Sequence, residues 1–192
     1  MKGSCHEPLK SMELKNTIAS YAHERGIQRE TLQRWQELSA ADQSALLVLA
    51  RALRLGQNHF RDVLDWSIEI SLRDDMSIAA ILAADTIGLV VRDSHLGRND
   101  RLKHVKESLR RLRFPRLTRI EGEIQKRLRA LKTDPRISIS VAPGLEGGVK
   151  VELSAHSSDN LEQLALEVAA IAREEKTRGV FDLLIGSEDA TL

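Results

Sequence analysis

At 192 residues, with 42% hydrophobic side chains, the chain is long enough to bury a core, as one domain or as two small ones. No uncharged apolar run reaches the roughly 18 residues of a membrane span, since Asp85 interrupts the nearest, Ile78 to Val91, and the opening MKGSCHEPLK lacks the apolar segment of a signal peptide. The formal charge of +1 is a cancellation: between Arg98 and Lys132 thirteen Lys and Arg face four acids, an excess of +9 that leaves −8 for the remainder.

Residues 1–10 read as a flexible tail, and a helical domain follows over 11–97. Its first helix, with Leu14, Ile18, Ala19 and Ala22 on one face, ends at Gly26, because glycine takes the left-handed conformation that closes a helix cheaply. A shorter helix over Arg29 to Leu38 turns Leu32 and Trp35 inward. Ala22, Gly26 four residues later and Leu32 six after that have the packing spacing of a helix-turn-helix, placed at 14–38. The alanine lets the helices approach, the glycine makes the turn and the branched residue anchors the second helix. On that reading Gln28, Arg29, Thr31, Gln33 and Arg34 face a DNA major groove, where amides and guanidinium groups pair with base edges. The same spacing also writes an ordinary helical hairpin, and no excess of positive charge accompanies it.

Ser39, with Asp42 nearby, starts a helix faced by Leu46, Leu47, Leu49, Ala50 and Leu53, which Leu55 to Asn58 breaks. The next runs from about His59 to Arg73 with Phe60, Val63, Leu64, Ile68 and Leu72 inward, and Ser77 caps a short one through Leu82. Asp93 to Gly97 is a loop into a basic linking helix, 98–114, where Leu102, Val105, Leu109 and Leu112 step by three and four into one buried stripe. Lys103, Lys106, Arg110 and Arg113 flank the stripe on one side, Arg101, His104 and Arg111 on the other. Phe114-Pro115 ends it, since proline disfavours the α conformation before it and donates no hydrogen bond. A second basic helix follows, with Arg116 and Arg119 near its start, capping-box spacing from Thr118 to Glu121 and an apolar stripe of Leu117, Ile120, Ile124, Leu128 and Leu131.

The period then changes. Ile137, Ile139 and Val141 alternate, Pro143-Gly144 and Gly147-Gly148 mark a turn, and Val149, Val151 and Leu153 alternate again, which predicts a hairpin. Ser157 or Ser158 caps a helix faced by Leu161, Leu164, Ala165, Val168 and Ile171. The expected fold class is mainly α with a small C-terminal α+β unit, helix-strand-strand-helix over 115–175, followed by a tail over 176–192. Two strands bury too little to stand alone, so this unit must pack on its own helices or pair with a second copy.

No spacing supports catalysis or a metal or cofactor site, and none of these is expected. The six histidines are scattered without HExxH or Cys/His spacing. His59, Asp62 and Asp65 share one helix but read as a solvated polar face. Gly144, Gly147 and Gly148 lie between two strands and make a turn, not a phosphate cradle. Cys5, the single cysteine, cannot form an internal disulfide, which fits a reducing, bacterial-type cytoplasm. Six aromatics leave little for stacking single-stranded bases.

Gly148 to Leu153 (GVKVEL) with Ser157 to Glu162 (SSDNLE), the Leu112 to Leu117 elbow (LRFPRL) and Leu53 to Asn58 (LRLGQN) together resemble the ParB family of chromosome and plasmid partition proteins. The first pair is similar to the family's C-terminal dimerisation domain, and Ala22, Gly26 and Leu32 fall where its helix-turn-helix has its small residue, glycine and anchor. The resemblance implies double-stranded DNA and a second copy of the chain as partners, a partition ATPase or another protein as a further one, and a nucleoid-associated place in the cytoplasm. It implies dimerisation through Val149, Val151, Leu153, Leu161, Leu164 and Val168. The family's N-terminal nucleotide-binding domain and its arginine-rich motif have no counterpart here, so cytidine triphosphate binding does not carry over, and the chain looks like the C-terminal half of such a protein. The expected function is non-enzymatic, dimeric DNA binding, with Lys103, Lys106, Arg110, Arg111, Arg113, Arg116 and Arg119 gripping phosphates. The alternative is a helical adaptor whose basic face is solvated or meets an acidic protein.

Overall fold

The computed structural model describes residues 7–131, 133–141 and 148–185, so Cys5, Lys132, Pro143-Gly144, Gly147 and the last seven residues lie outside it. The described residues form ten helices and one two-stranded antiparallel sheet, the mainly helical class expected. They divide into two compact units, Met1–Arg113 and Phe114–Leu192. No helix among them is long and apolar enough to cross a membrane.

The first unit comprises α1 (Glu7–Arg25), α2 (Arg29–Gln36), α3 (Ala40–Leu53), α4 (Gln57–Asp74), α5 (Ile78–Ala83), α6 (Asp85–Arg92) and α7 (Arg98–Arg113). Three of its corners are built alike. The helix before each ends on a left-handed residue, Gly26 (φ 65°), Arg54 (φ 49°) or Asp75 (φ 51°). The next residue then donates its N–H back to the carbonyl five positions earlier: Ile27 to Ala22 (2.8 Å), Leu55 to Ala50 (3.0 Å), Met76 to Ser71 (3.2 Å). This bond satisfies a carbonyl the helix end would orphan. Two residues past each left-handed position stands the N-cap of the next helix, Gln28, Gly56 or Ser77. Six past it, Leu32, Phe60 and Ile81 pack into one core. The spacing of Ala22, Gly26 and Leu32 is thus a corner used three times, and by itself it does not single out a DNA-reading turn.

Tyr21 locks these corners together. Its hydroxyl lies 2.8 Å from the Ala50 carbonyl and 2.9 Å from that of Leu55, the two residues bonded across the second corner. Trp35 stands edge-on to Tyr21 and tilts over Phe60, with its ring centroid 4.4 Å from the Phe60 centroid, and its Nε1–H reaches the Gln43 carbonyl. Ser39 caps α3 as expected, accepting from the Asp42 N–H.

Several expectations are corrected here. The first helix begins at Glu7 and not after a ten-residue tail, and α6 occupies a stretch the sequence left unassigned. Leu72 points outward, 80% exposed, and Ala19 is exposed, while Tyr21 and Ile70 take the inward places. Helix α7 is no linker: Val105 and Leu109 are fully buried in the same core as α1 to α6.

The second unit comprises α8 (Pro115–Ala130), β1 (Ile137–Val141), β2 (Val149–Leu153), α9 (Ser158–Ile171) and α10 (Glu175–Leu184). Helix α8 starts at Pro115, whose fixed φ suits the first helical position, with Phe114 outside the helical region before it (φ −122°, ψ 65°). Thr118 therefore lies in the first turn and is not the N-cap of a capping box. The strands pair Ile137 with Leu153, Ile139 with Val151 and Val141 with Val149, which puts all six apolar residues on one face. The expected tail over 176–192 is a helix as far as Leu184, packed on α8. At their contact Arg127 Nη1 donates to the Gly179 carbonyl at 2.6 Å, and a Cβ on Gly179 would stand 2.3 Å from that nitrogen, so a larger residue there would displace the guanidinium.

Two stability measurements follow from the corners. Glycine takes positive φ without a Cβ penalty, so Arg54→Gly is expected to raise the unfolding free energy by about 0.5–1 kcal/mol, and Gly26→Ala to lower it by about 1 kcal/mol. Urea midpoints read both, and a lower midpoint for Arg54→Gly would contradict the corner geometry. Burial pushes the Tyr21 hydroxyl above its ordinary value, with the charge of Arg25 drawing it partly back. A group raised on folding gives stability that is complete below its ordinary pKa, about 10 for tyrosine, and is lost as pH rises through the folded value. As this is the chain's single tyrosine, tyrosinate absorbance should show one ionisation above pH ~10 with unfolding in the same range, and an ordinary midpoint would deny the burial.

Candidate nucleic-acid interface

Helix α2 presents a polar face. Gln28, its N-cap, is exposed and donates its backbone N–H to Gln57 Oε1 at 2.8 Å. Arg29 and Gln33 are exposed, and Gln33 donates to Glu37 at 3.0 Å one turn on. Arg34, also exposed, donates to Asp65 Oδ1 at 2.6 Å. Thr31 departs from the expected groove-facing set. Its side chain is 4% exposed and accepts from Gln57 Nε2, because position 31 falls on the face that α2 turns toward α4.

Helix α7 divides its cations between two environments. Lys103 and His104 are exposed. Lys106 Nζ meets Asp62 Oδ2 at 2.8 Å, and Arg113 forks onto Glu69 through Nε and Nη2 at 2.5 and 2.9 Å. Trp66, between those acids on α4, has Lys106 and Arg113 5.2 and 5.8 Å from its ring centroid. Arg110 and Arg111 both reach Glu107 on their own helix. Burial pushes that carboxyl up, but the hydrogen bond from Arg111 and the charge of Arg110 outweigh it and hold Glu107 below its usual range. Arg73, near the end of α4, donates to the Leu112 and Arg113 carbonyls at 2.6 Å each, capping the C-terminus of α7.

In the second unit Arg116 and Arg119 are exposed on the first turns of α8. The apolar positions expected at a dimer interface fall into three classes. Leu164 is buried among Leu131, Ile137 and Ile171 and so serves its own unit's core; Val149, Leu153 and Val168 are half-buried; Val151 and Leu161 are 41% and 49% exposed. Val151 lines a cleft of about 140 Å³ with Leu128, Ile139, Val168, Val180 and Phe181.

The residues the sequence reading missed are the acids and the aromatic of α4: Asp62, Asp65, Trp66 and Glu69. Their spacing of three and four was visible, but without the fold it read as a solvated face. Asp62 and Asp65, considered with His59 as metal ligands, instead hold Lys106 and Arg34. Among the described residues no three His, Cys, Asp or Glu side chains converge on one point. No protein-family model, no characterised protein and no solved structure matches this chain.

Proposed function

We propose that the chain is a non-enzymatic, dimeric double-stranded DNA-binding protein of the partition type. The observation that carries this reading is the segregation of +8 onto two consecutive helices, α7 with +5 and α8 with +3, where Lys103, Arg111, Arg116, Arg119 and Lys126 are exposed. Exposed cations along a helix are the footprint of phosphate contact, which positions a protein on a duplex without reading sequence. Gln28, Arg29, Gln33 and Arg34 on α2 supply the side-chain types that read base edges. The exposed apolar residues of the second unit support pairing with a second copy. Partition, a partition ATPase as protein partner and a place on the nucleoid rest on the ParB resemblance. One observation favours a second reading, a helical adaptor that meets an acidic protein: Lys106, Arg110, Arg111 and Arg113 already have carboxylate partners.

Fluorescence anisotropy on a labelled random duplex tests the first reading. If six cations reach phosphates, log affinity falls against log salt with a slope of roughly −5. Lys103→Glu with Arg111→Glu should then weaken binding to any sequence, while Arg34→Ala should chiefly reduce discrimination between a selected site and random DNA. No binding at low salt would leave the adaptor reading. Assembly is tested by light scattering. Val151→Asp is tolerable on a half-open monomer surface, but a charge buried in a dimer without a partner costs several kcal/mol. The variant should therefore fold and be monomeric, and a parent chain that is already monomeric would end the dimer proposal.

A further inference from the structure

Asp62, Asp65 and Glu69 follow one another on α4 at steps of three and four, so their carboxylates share one face. Each is taken by a cation from another helix: Asp65 by Arg34 of α2, Asp62 by Lys106 of α7 and Glu69 by Arg113 of α7. A single row of acids thus holds both segments proposed above to meet DNA, the base-reading helix and the phosphate-gripping one. The six side chains are 26–50% exposed, open enough to exchange partners, and pairs of that kind are worth only about 0–1 kcal/mol each. The guanidinium fork that grips a carboxylate has the same geometry for a phosphate.

We propose that this carboxylate row is a built-in competitor for nucleic acid, occupying Arg34, Lys106 and Arg113 until base edges, for Arg34, and phosphates, for Lys106 and Arg113, displace it. The inference rests on the DNA-binding reading. A duplex engaging these three cations must break three pairs and approach three released carboxylates, so the row sets affinity below what the basic helices alone would give. It also flattens the salt dependence, because a cation already neutralised by a carboxylate contributes less counterion release when it meets a phosphate. Trp66 keeps Lys106 and Arg113 in place during the exchange, since its ring face attracts both cations whichever anion they hold.

The test compares Asp62→Asn/Asp65→Asn/Glu69→Gln with a control of equal charge change elsewhere in the unit, Glu13→Gln/Glu24→Gln/Asp75→Asn, on a labelled random duplex over a salt series. The row variant is expected to bind about tenfold tighter than the control at low salt, with a slope steeper by up to about 0.9 for each cation it releases. Binding by the row variant alone, with a silent parent, also supports the competitor. If parent and control bind and the row variant is no tighter than the control, the competitor is overturned while DNA binding stands. If none of the three binds, both fall. A measurement on the unaltered protein covers a row variant that does not fold. The Nε–H resonances of Arg34 and Arg113 should shift as a duplex is added, and resonances unmoved at saturation would overturn the inference.

Discussion

Helix α7 packs its apolar stripe where α4 is acidic, and the two features fit each other. Val105 and Leu109 are fully buried, and sinking that stripe carries Lys106, Arg110 and Arg113 out of full hydration. A cation moved from water without a partner costs more than a buried leucine returns. Asp62 and Glu69 remove that cost for Lys106 and Arg113, Glu107 does so for Arg110, and Arg73 satisfies the last carbonyls of α7 from the same side. The helix that gives the chain its basic middle is thereby a core element of the first unit, and its cations are sorted into a half-buried set and an exposed one. A count of charges along the sequence cannot make that distinction, because it depends on which face of α7 each cation occupies.

The position of α4 itself is set by the second corner. Arg54 takes a left-handed conformation that an arginine adopts only against a steric penalty. The Leu55 N–H bond to Ala50, the Tyr21 hydroxyl on the same two residues and the burial of Phe60 six residues on oppose that penalty together. The corner also fixes the start of α4 at Gln57, whose amide donates to Thr31 and accepts from the Gln28 backbone. One corner therefore places the N-terminus of α2 and the start of α4 relative to each other, and with them Arg34 against Asp65.

Much of this was legible in the sequence, and the misreadings have physical reasons. Period and cap residues located most of the helices and both strands of the hairpin, because local signals suffice where a stripe is regular and a serine stands before it. Leu72 was misplaced because the buried face of α4 runs through Phe60, Val63, Leu64, Ser67 and Ile70, and the helical period carries Leu72 off it. Thr31 was misplaced because the groove-facing set followed the helix-turn-helix reading, although buried Trp35, four residues on, marks the face where Thr31 lies. Helix α10 was missed because its first turns, Glu175 to Arg178, are charged and its buried residues are only Gly179, Val180 and Leu183. Asp62 and Asp65 were seen and Glu69 was not, and the role of all three belongs to contacts with residues more than 30 positions away, which no local pattern encodes.

The second unit poses a different packing problem. Its hairpin turns six apolar residues to one face, yet its helices cover that face from the two ends. Val141 and Val149 join Ile120, Ile124, Val180 and Leu183; Ile137, Ile139 and Leu153 join Leu131, Leu164 and Ile171; Leu128 belongs to both groups. Val151, paired with Ile139 at the middle of the sheet, belongs to neither and remains 41% exposed beside the cleft. Two small clusters joined through one leucine bury less than a single core of the same residues would. The gap lies where one more apolar side chain, approaching from outside, would fuse them. A surface that gains cohesion by being covered differs in kind from the exposed cations of α7, which gain nothing from an apolar neighbour and much from an anionic one. The chain thus carries two faces with opposite preferences, one on each unit, and a partner suited to either is unsuited to the other.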